Sequence, residues 1–195
     1  MPWGMPAPPH VRVALFTRWP EAGKAKTRLI PALGAQGAAD LHRRLTERTV
    51  TTVRATGLPL EIRSTGADPA LFREWLGTES VVDQGDGDLG ERLARTAERL
   101  PVLLLGADIP GLMPQHLAEA AAALAHHPAV IGPAADGGYW LLGLAAPMPA
   151  VFRDVAWGTG SVLATTLARL PDDTPRLETL SDLDTPEDLA QWPDL

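Results

Sequence analysis

The chain has no cysteine, one tyrosine, two lysines and no long apolar run. Without cysteine there can be no disulfide, no thiolate nucleophile and no thiolate metal ligand. Any metal must therefore rest on Asp, Glu, His or backbone oxygen, and a cytoplasmic location is expected. The longest apolar stretches, such as 101–105 and 120–125, fall far short of the roughly 20 residues of a spanning helix, so no membrane span is expected. Residues 1–10 show neither the basic start nor the apolar centre of a secretory signal and read as a disordered lead. Basic charge is also scarce: 17 Lys and Arg against 24 Asp and Glu give a net charge of −7. That balance argues against nucleic acid as a partner, because nonspecific binding depends on many phosphate-neutralising cations. Both lysines, Lys24 and Lys26, nevertheless fall in one short loop.

What is present is ordinary globular material: 195 residues, 45% of them hydrophobic and 21% charged. This suffices for one buried core, and residues 11–195 are expected to form a single domain. The run 11–16 reads as a buried strand and 36–55 as a long helix ended by Gly57 and Pro59. A strand at 60–63, a helix at 69–76 and a strand at 80–83 follow, then a helix from 88 to about 100. Val102–Gly106 is the most apolar strand-like segment and is placed at the sheet centre. A helix at 114–126 and strands at 129–132 and 139–144 complete the pattern. Alternating strands and helices predict a three-layer α/β/α sandwich with a mainly parallel sheet, whose ligands bind off the carboxyl ends of the strands.

Loops after strands are accordingly the places to search. The first, residues 17–28, bends at Pro20 and Gly23 and carries Lys24, Lys26, Thr27 and Arg28. Closely spaced cations, a hydroxyl and loop amides suit a phosphate clamp. The first Gly of a Walker motif is absent and Lys24 precedes Ala25, so this is not a P-loop. Asp108, just past the central strand, is placed to hold a divalent cation, Mg or Mn, against a diphosphate, or else to form a turn before Pro110. Asp136-Gly137-Gly138 either turns a hairpin or brings backbone and a second carboxylate close to a substrate. Asp88, Gly90 and Arg92 open a helix where loop amides can meet a base or ribose, although Asp88 with Glu91 also matches a capping box. Tyr139, Trp157 and Thr159 are candidate substrate contacts, with Thr159 or Ser161 alternatively capping the helix that follows. At the C-terminal end Thr185 caps a short helix begun by Pro186, leaving Asp182 and Asp184 free to face the site.

Taken together, Pro20-x-x-Gly-x-x-Lys-Thr-Arg-Leu29, Asp88-Leu-Gly-Glu-Arg92, Gly106-x-Asp-x-Pro110, Pro133-x-x-Asp-Gly-Gly-Tyr139, Trp157-Gly-Thr159 and Asp182-x-Asp-Thr-Pro-Glu-Asp188 resemble the DUF2064 family within the nucleotide-diphospho-sugar transferases. The resemblance spans nearly the whole chain. It implies a GT-A fold, an enzyme that transfers a group from a nucleotide or nucleotide-sugar to a small-molecule acceptor, and a phosphate site in the first loop. It also places Asp108 where related enzymes hold metal, with Asp108, Asp136 and Lys26 as the catalytic set. Two departures stand out. Arg18 replaces the lysine that the family often carries two positions before the first Pro, keeping charge but changing geometry. Residue 110 is Pro, so no Asp-x-Asp pair forms. The family is also similar to small nucleotidyltransferases such as the phospholactate guanylyltransferases, which leaves glycosyl transfer, nucleotidyl transfer and binding without turnover as the readings to separate.

Overall fold

In a computed structural model that describes residues 11–78, 80–193 and 195, six strands form one sheet. They are β1 (Arg12–Arg18), β2 (Leu60–Thr65), β3 (Val81–Asp83), β4 (Val102–Gly106), β5 (Ala129–Pro133) and β6 (Tyr139–Leu144). The order is β3-β2-β1-β4-β6-β5, and β6 alone runs against its neighbours. β4 lies at the centre, between β1 and β6, as its apolar sequence predicts. The expected disordered lead, residues 1–10, lies outside the described residues.

Alternation along the strands divides the core into two layers. Val13 and Leu15 of β1 and Leu103 and Leu105 of β4 face one way, packing with Val50, Val53, Phe72 and Leu117. These come from the helices α1 (Ile30–Thr56), α2 (Pro69–Leu76) and α4 (Pro114–Ala123). Ala14, Val102 and Leu104 face the other way, against Leu93, Val151 and Phe152. That layer is built by α3 (Leu89–Thr96), a 3-10 turn at Pro149–Phe152 and α5 (Val162–Leu167). Each fully buried Leu contributes about 1.5–3 kcal/mol, so burial on both faces makes the central strands the firmest part of the fold. No helix among the described residues is long and apolar enough to cross a membrane.

Several element ends differ from the sequence expectation for identifiable reasons. α1 begins at Ile30 rather than residue 36 because Pro31 starts a first turn, but Gly34, at φ 71° and ψ 167°, breaks it before the long segment. α3 stops at Thr96 instead of running to about 100, and turns carry the chain on to Pro101. α4 likewise stops at Ala123, short of 126, ahead of Pro128. A short α6 (Pro186–Leu189) stands where Pro186 predicts it.

The reversal at β6 sets the geometry of the site. β5 is parallel to β4, so residues 134–138 emerge at the same carboxyl end as the loops after β1 and β4. Beyond α5 the chain runs alongside β5, bridging Ile131 to Arg176 and Ala134 to Leu180. This carries residues 182–184 to that end too, a docking for which the sequence offers no strand-like signal.

Candidate functional site

The loop after β1 is fixed by two inward anchors, Ala25 and Leu29, both fully buried. Between them Lys26 adopts a left-handed conformation, φ 49° and ψ 47°. A non-glycine residue held there carries about 1–3 kcal/mol of strain, a cost that surrounding contacts must offset. They do so through its side chain, which is only 4% exposed and turns into the protein. Nζ donates to the Leu183 carbonyl at 2.6 Å and lies 2.8 Å from Asp108 Oδ1 and 3.5 Å from Asp184 Oδ1. The ammonium thus donates to Leu183 and Asp184 and is ion-paired with Asp108. Arg28 meets the other oxygen of Asp184 at 2.7 Å while remaining largely exposed. Lys24 is exposed and paired with Glu21 at 3.0 Å.

Asp108 owes its outward aim to its neighbours. Ala107 and Ile109 are buried, so the carboxylate between them faces the opening past β4. Its carbonyl accepts from the Leu183 amide at 2.9 Å, which ties β4's exit to the C-terminal segment. Beneath the loop, His42 of α1 shares Nε2 between the Arg18 carbonyl at 3.0 Å and Thr17 Oγ1 at 3.3 Å, with Thr46 Oγ1 3.1 Å from Thr17. Burial pulls the His42 pKa below the ordinary imidazole value, although Asp108 and the Arg18 carbonyl oppose the shift.

Two cavities meet here. The smaller, about 200 Å³, is lined by Arg18, Lys24, Thr27 and Arg28 with His42 at its floor. The larger, about 390 Å³, has Phe16, Leu89, Leu93, Tyr139 and Trp157 as apolar walls and also touches Gly138 and Thr159. Arg28, Asp108 and Asp184 line both, and Asp136 lines the larger. Asp136 Oδ1 accepts from the Gly138 amide at 2.8 Å. Burial, followed by the charge of Asp136, raises the pKa of nearby Asp182. Gly137, at φ +88°, lets the 157–161 loop come close: a Cβ there would stand 2.4 Å from the Gly160 oxygen. The turn is therefore present, and the close approach that Gly137 permits is to the chain's own 157–161 loop.

The sequence candidates therefore divide. Arg18, Lys24, Lys26, Thr27, Arg28, Asp108, Asp136, Gly138, Tyr139, Trp157 and Thr159 line one cavity or the other. Asp88, Gly90 and Arg92 do structural work: Asp88 and Glu91 complete a capping box, at 2.9 and 2.8 Å. Gly90 packs under the Phe152 carbonyl and Trp157. Arg92 holds the Gly87 carbonyl and the Gln84 side chain, at 3.0 and 3.3 Å. His42 and Phe16 line the cavities but belong to no motif, and only their final packing reveals them.

Among the described residues, no three acidic, His or Cys side chains come together as a metal cage. Asp108 is nonetheless half-exposed while paired with Lys26 through Oδ1. One such carboxylate, completed by diphosphate and water, matches the way Mg²⁺ is commonly held.

Proteins of known structure share this fold. The model of the family "Uncharacterized protein conserved in bacteria (DUF2064)" matches residues 49–159. A protein from Desulfovibrio desulfuricans G20, described as a "putative nucleotide-diphospho-sugar transferase", is 32% identical with a TM-score of 0.83, covering 90% of this chain and 82% of its own. Glucosyl-3-phosphoglycerate synthase from Mycobacterium tuberculosis, solved with Mn²⁺, UDP and glucosyl-3-phosphoglycerate, shares the fold at 13% identity and a TM-score of 0.56, over 93% of this chain and 74% of that one. A nucleotidyl transferase from Methanothermobacter thermautotroptrophicus does so at 16% identity and a TM-score of 0.58, over 94% and 96%. No curated protein matches in sequence. The architecture is the GT-A fold of nucleotide-dependent transferases, glycosyl and nucleotidyl alike. Within it, the chain belongs to the DUF2064 family.

Proposed function

We propose that the protein transfers a glycosyl group from a nucleoside-diphosphate sugar to a small acceptor. The observation that carries this reading is the contrast between the two joined cavities. The smaller is cationic, with Arg18 and Arg28 presenting forked donors suited to diphosphate oxygens. The larger has aromatic walls and Arg28 as its cation, and adds Asp136 to the Asp108 and Asp184 that both cavities share. Carboxylates accept hydrogen bonds from sugar hydroxyls but repel a phosphorylated acceptor, which favours a neutral sugar there over nucleotidyl transfer.

In this reading Arg18, Lys24 and Arg28 hold the diphosphate, and Asp108 holds the divalent cation. When bound, that cation neutralises the charge developing on the leaving nucleoside diphosphate. The acceptor oxygen bonds to the anomeric carbon as the bond to the β-phosphate oxygen breaks. Asp136, whose Oδ2 is not used by its own turn, orients the acceptor hydroxyl and takes its proton. Lys26 acts from within, positioning Asp108 and Asp184.

Calorimetric titration with a panel of nucleotide-sugars in Mn²⁺ tests the proposal. At least one should bind, and Arg28→Gln should weaken it about tenfold or more, the loss of about 1.4 kcal/mol. Absence of binding across the panel, or pyrophosphate release from a nucleoside triphosphate and a phosphorylated acceptor, would overturn it.

A further inference from the structure

A second cluster of arginines lies away from this site, on the sheet face that carries α3. Strand register places Arg12 of β1, Glu61 and Arg63 of β2 and Val82 of β3 on that face. With Arg95, Thr96, Glu98 and Arg99 they line an open cavity of about 330 Å³. Four guanidinium charges thus stand against two carboxylates. Glu61 is already shared three ways: Oε1 accepts from Arg12 Nη1 at 2.8 Å and lies 3.1 Å from Arg63 Nε, and Oε2 accepts from Arg99 Nη2 at 2.8 Å. Arg12 Nη2 donates to the Thr96 and Arg99 carbonyls, and Arg95 to the Gln84 and Asp86 carbonyls.

Donors are left over. Arg12 Nε is buried without a partner. Among the described residues, neither terminal nitrogen of Arg63 nor Nη1 of Arg99 meets an acceptor. Burial, reinforced by the neighbouring arginines, lowers the pKa of both Arg12 and Arg63 despite Glu61. A surplus of guanidinium charge beside open volume, with Arg12 and Arg63 largely buried, is relieved by an anion that accepts forked N–H donors.

We propose that this cavity is a second anion site, which takes a compact phosphate group, either free phosphate or a phosphomonoester. It shares no lining residue with the two cavities of the transfer site. Arg12 opens β1 and Arg18 closes it, so the sites stand about 20 Å apart along one strand. Arg95 links the cluster to the 84–88 loop, since it holds that loop's carbonyls.

The experiment titrates inorganic phosphate and glycerol 3-phosphate by calorimetry into wild type, Arg28→Gln, and Arg28→Gln combined with Arg63→Gln or with Arg99→Gln. Arg99 is 69% exposed, so its substitution leaves the fold intact, as an unchanged melting temperature verifies. Arg28→Gln should retain binding of at least one probe, and either second substitution should weaken that binding at least tenfold. The tighter probe identifies whether the source is free phosphate or an ester, and either one upholds the site. If Arg28→Gln abolishes all phosphate binding, or if the added substitutions leave the remainder unchanged, the site does not exist.

Discussion

Lys26 Nζ stands 2.8 Å from Asp108 Oδ1, so the loop after β1 and the exit of β4 are joined by one ion pair with its cation buried and its anion half-exposed. The lysine that reads in the sequence as a phosphate ligand is the internal tie of the site, while Arg18 and Arg28 face the opening.

Lys26→Met should therefore cost stability as well as ligand affinity. Removing an ammonium bound to a carbonyl and two carboxylates should destabilise the fold by about 1–3 kcal/mol, read from the urea midpoint. If stability is unchanged while nucleotide-sugar affinity falls, Lys26 contacts phosphate directly and the positioning role is wrong.

His42 gives the fold a pH dependence. Burial holds its folded pKa below the value of 6.5 for a free imidazole. On acidification the unfolded chain takes up the proton first, so this stability is complete above about pH 6.5 and is lost as pH falls toward the folded pKa. The slope reaches at most about 1.4 kcal/mol per pH unit. Denaturation curves at pH 7.5 and 5.5 should show the loss in wild type, and His42→Gln should flatten it.

Tyr139 presents the opposite case. Its hydroxyl is buried without a partner, and burial raises its pKa above the ordinary phenol value. Tyr139→Phe removes an unsatisfied group and should leave stability unchanged or raise it by up to about 1 kcal/mol. Weaker sugar-nucleotide binding by the same stable variant would mark the hydroxyl as a ligand contact; a clear drop in melting temperature would contradict the assignment.

Gly137→Ala should be damaging out of proportion to its size. The residue is at φ +88°, and a Cβ would collide with Gly160 backbone. A loss of about 1–3 kcal/mol is expected. Faster amide exchange in residues 157–163 would localise it, since Leu163 donates to the Gly137 carbonyl. Unchanged exchange there would rule out the coupling.

Much of the fold was legible because apolar period and turn residues report local structure directly. The central place of β4, the alternation of layers and the capping box at Asp88 all follow from neighbours within a few positions. The carboxyl-end loops follow from the same logic, and with them half of the cavity lining. What escaped depends on long-range docking. His42 looks like any polar residue on a helix until Thr17 and the Arg18 carbonyl are set beside it. Asp184 lies in a segment whose role as a capping run is evident, whereas its pairing with Lys26 and Arg28 is not. The inward turn of Lys26 could not be read from a spacing that suits outward cations equally well.

The bond from Lys26 to the Leu183 carbonyl joins positions 157 apart in the sequence. Contacts of such separation close late, after the sheet that brings them together. The loop that forms first along the chain is thus among the last to reach its working shape, and a refolding protein should regain its strand signal before it regains the ability to hold a nucleotide.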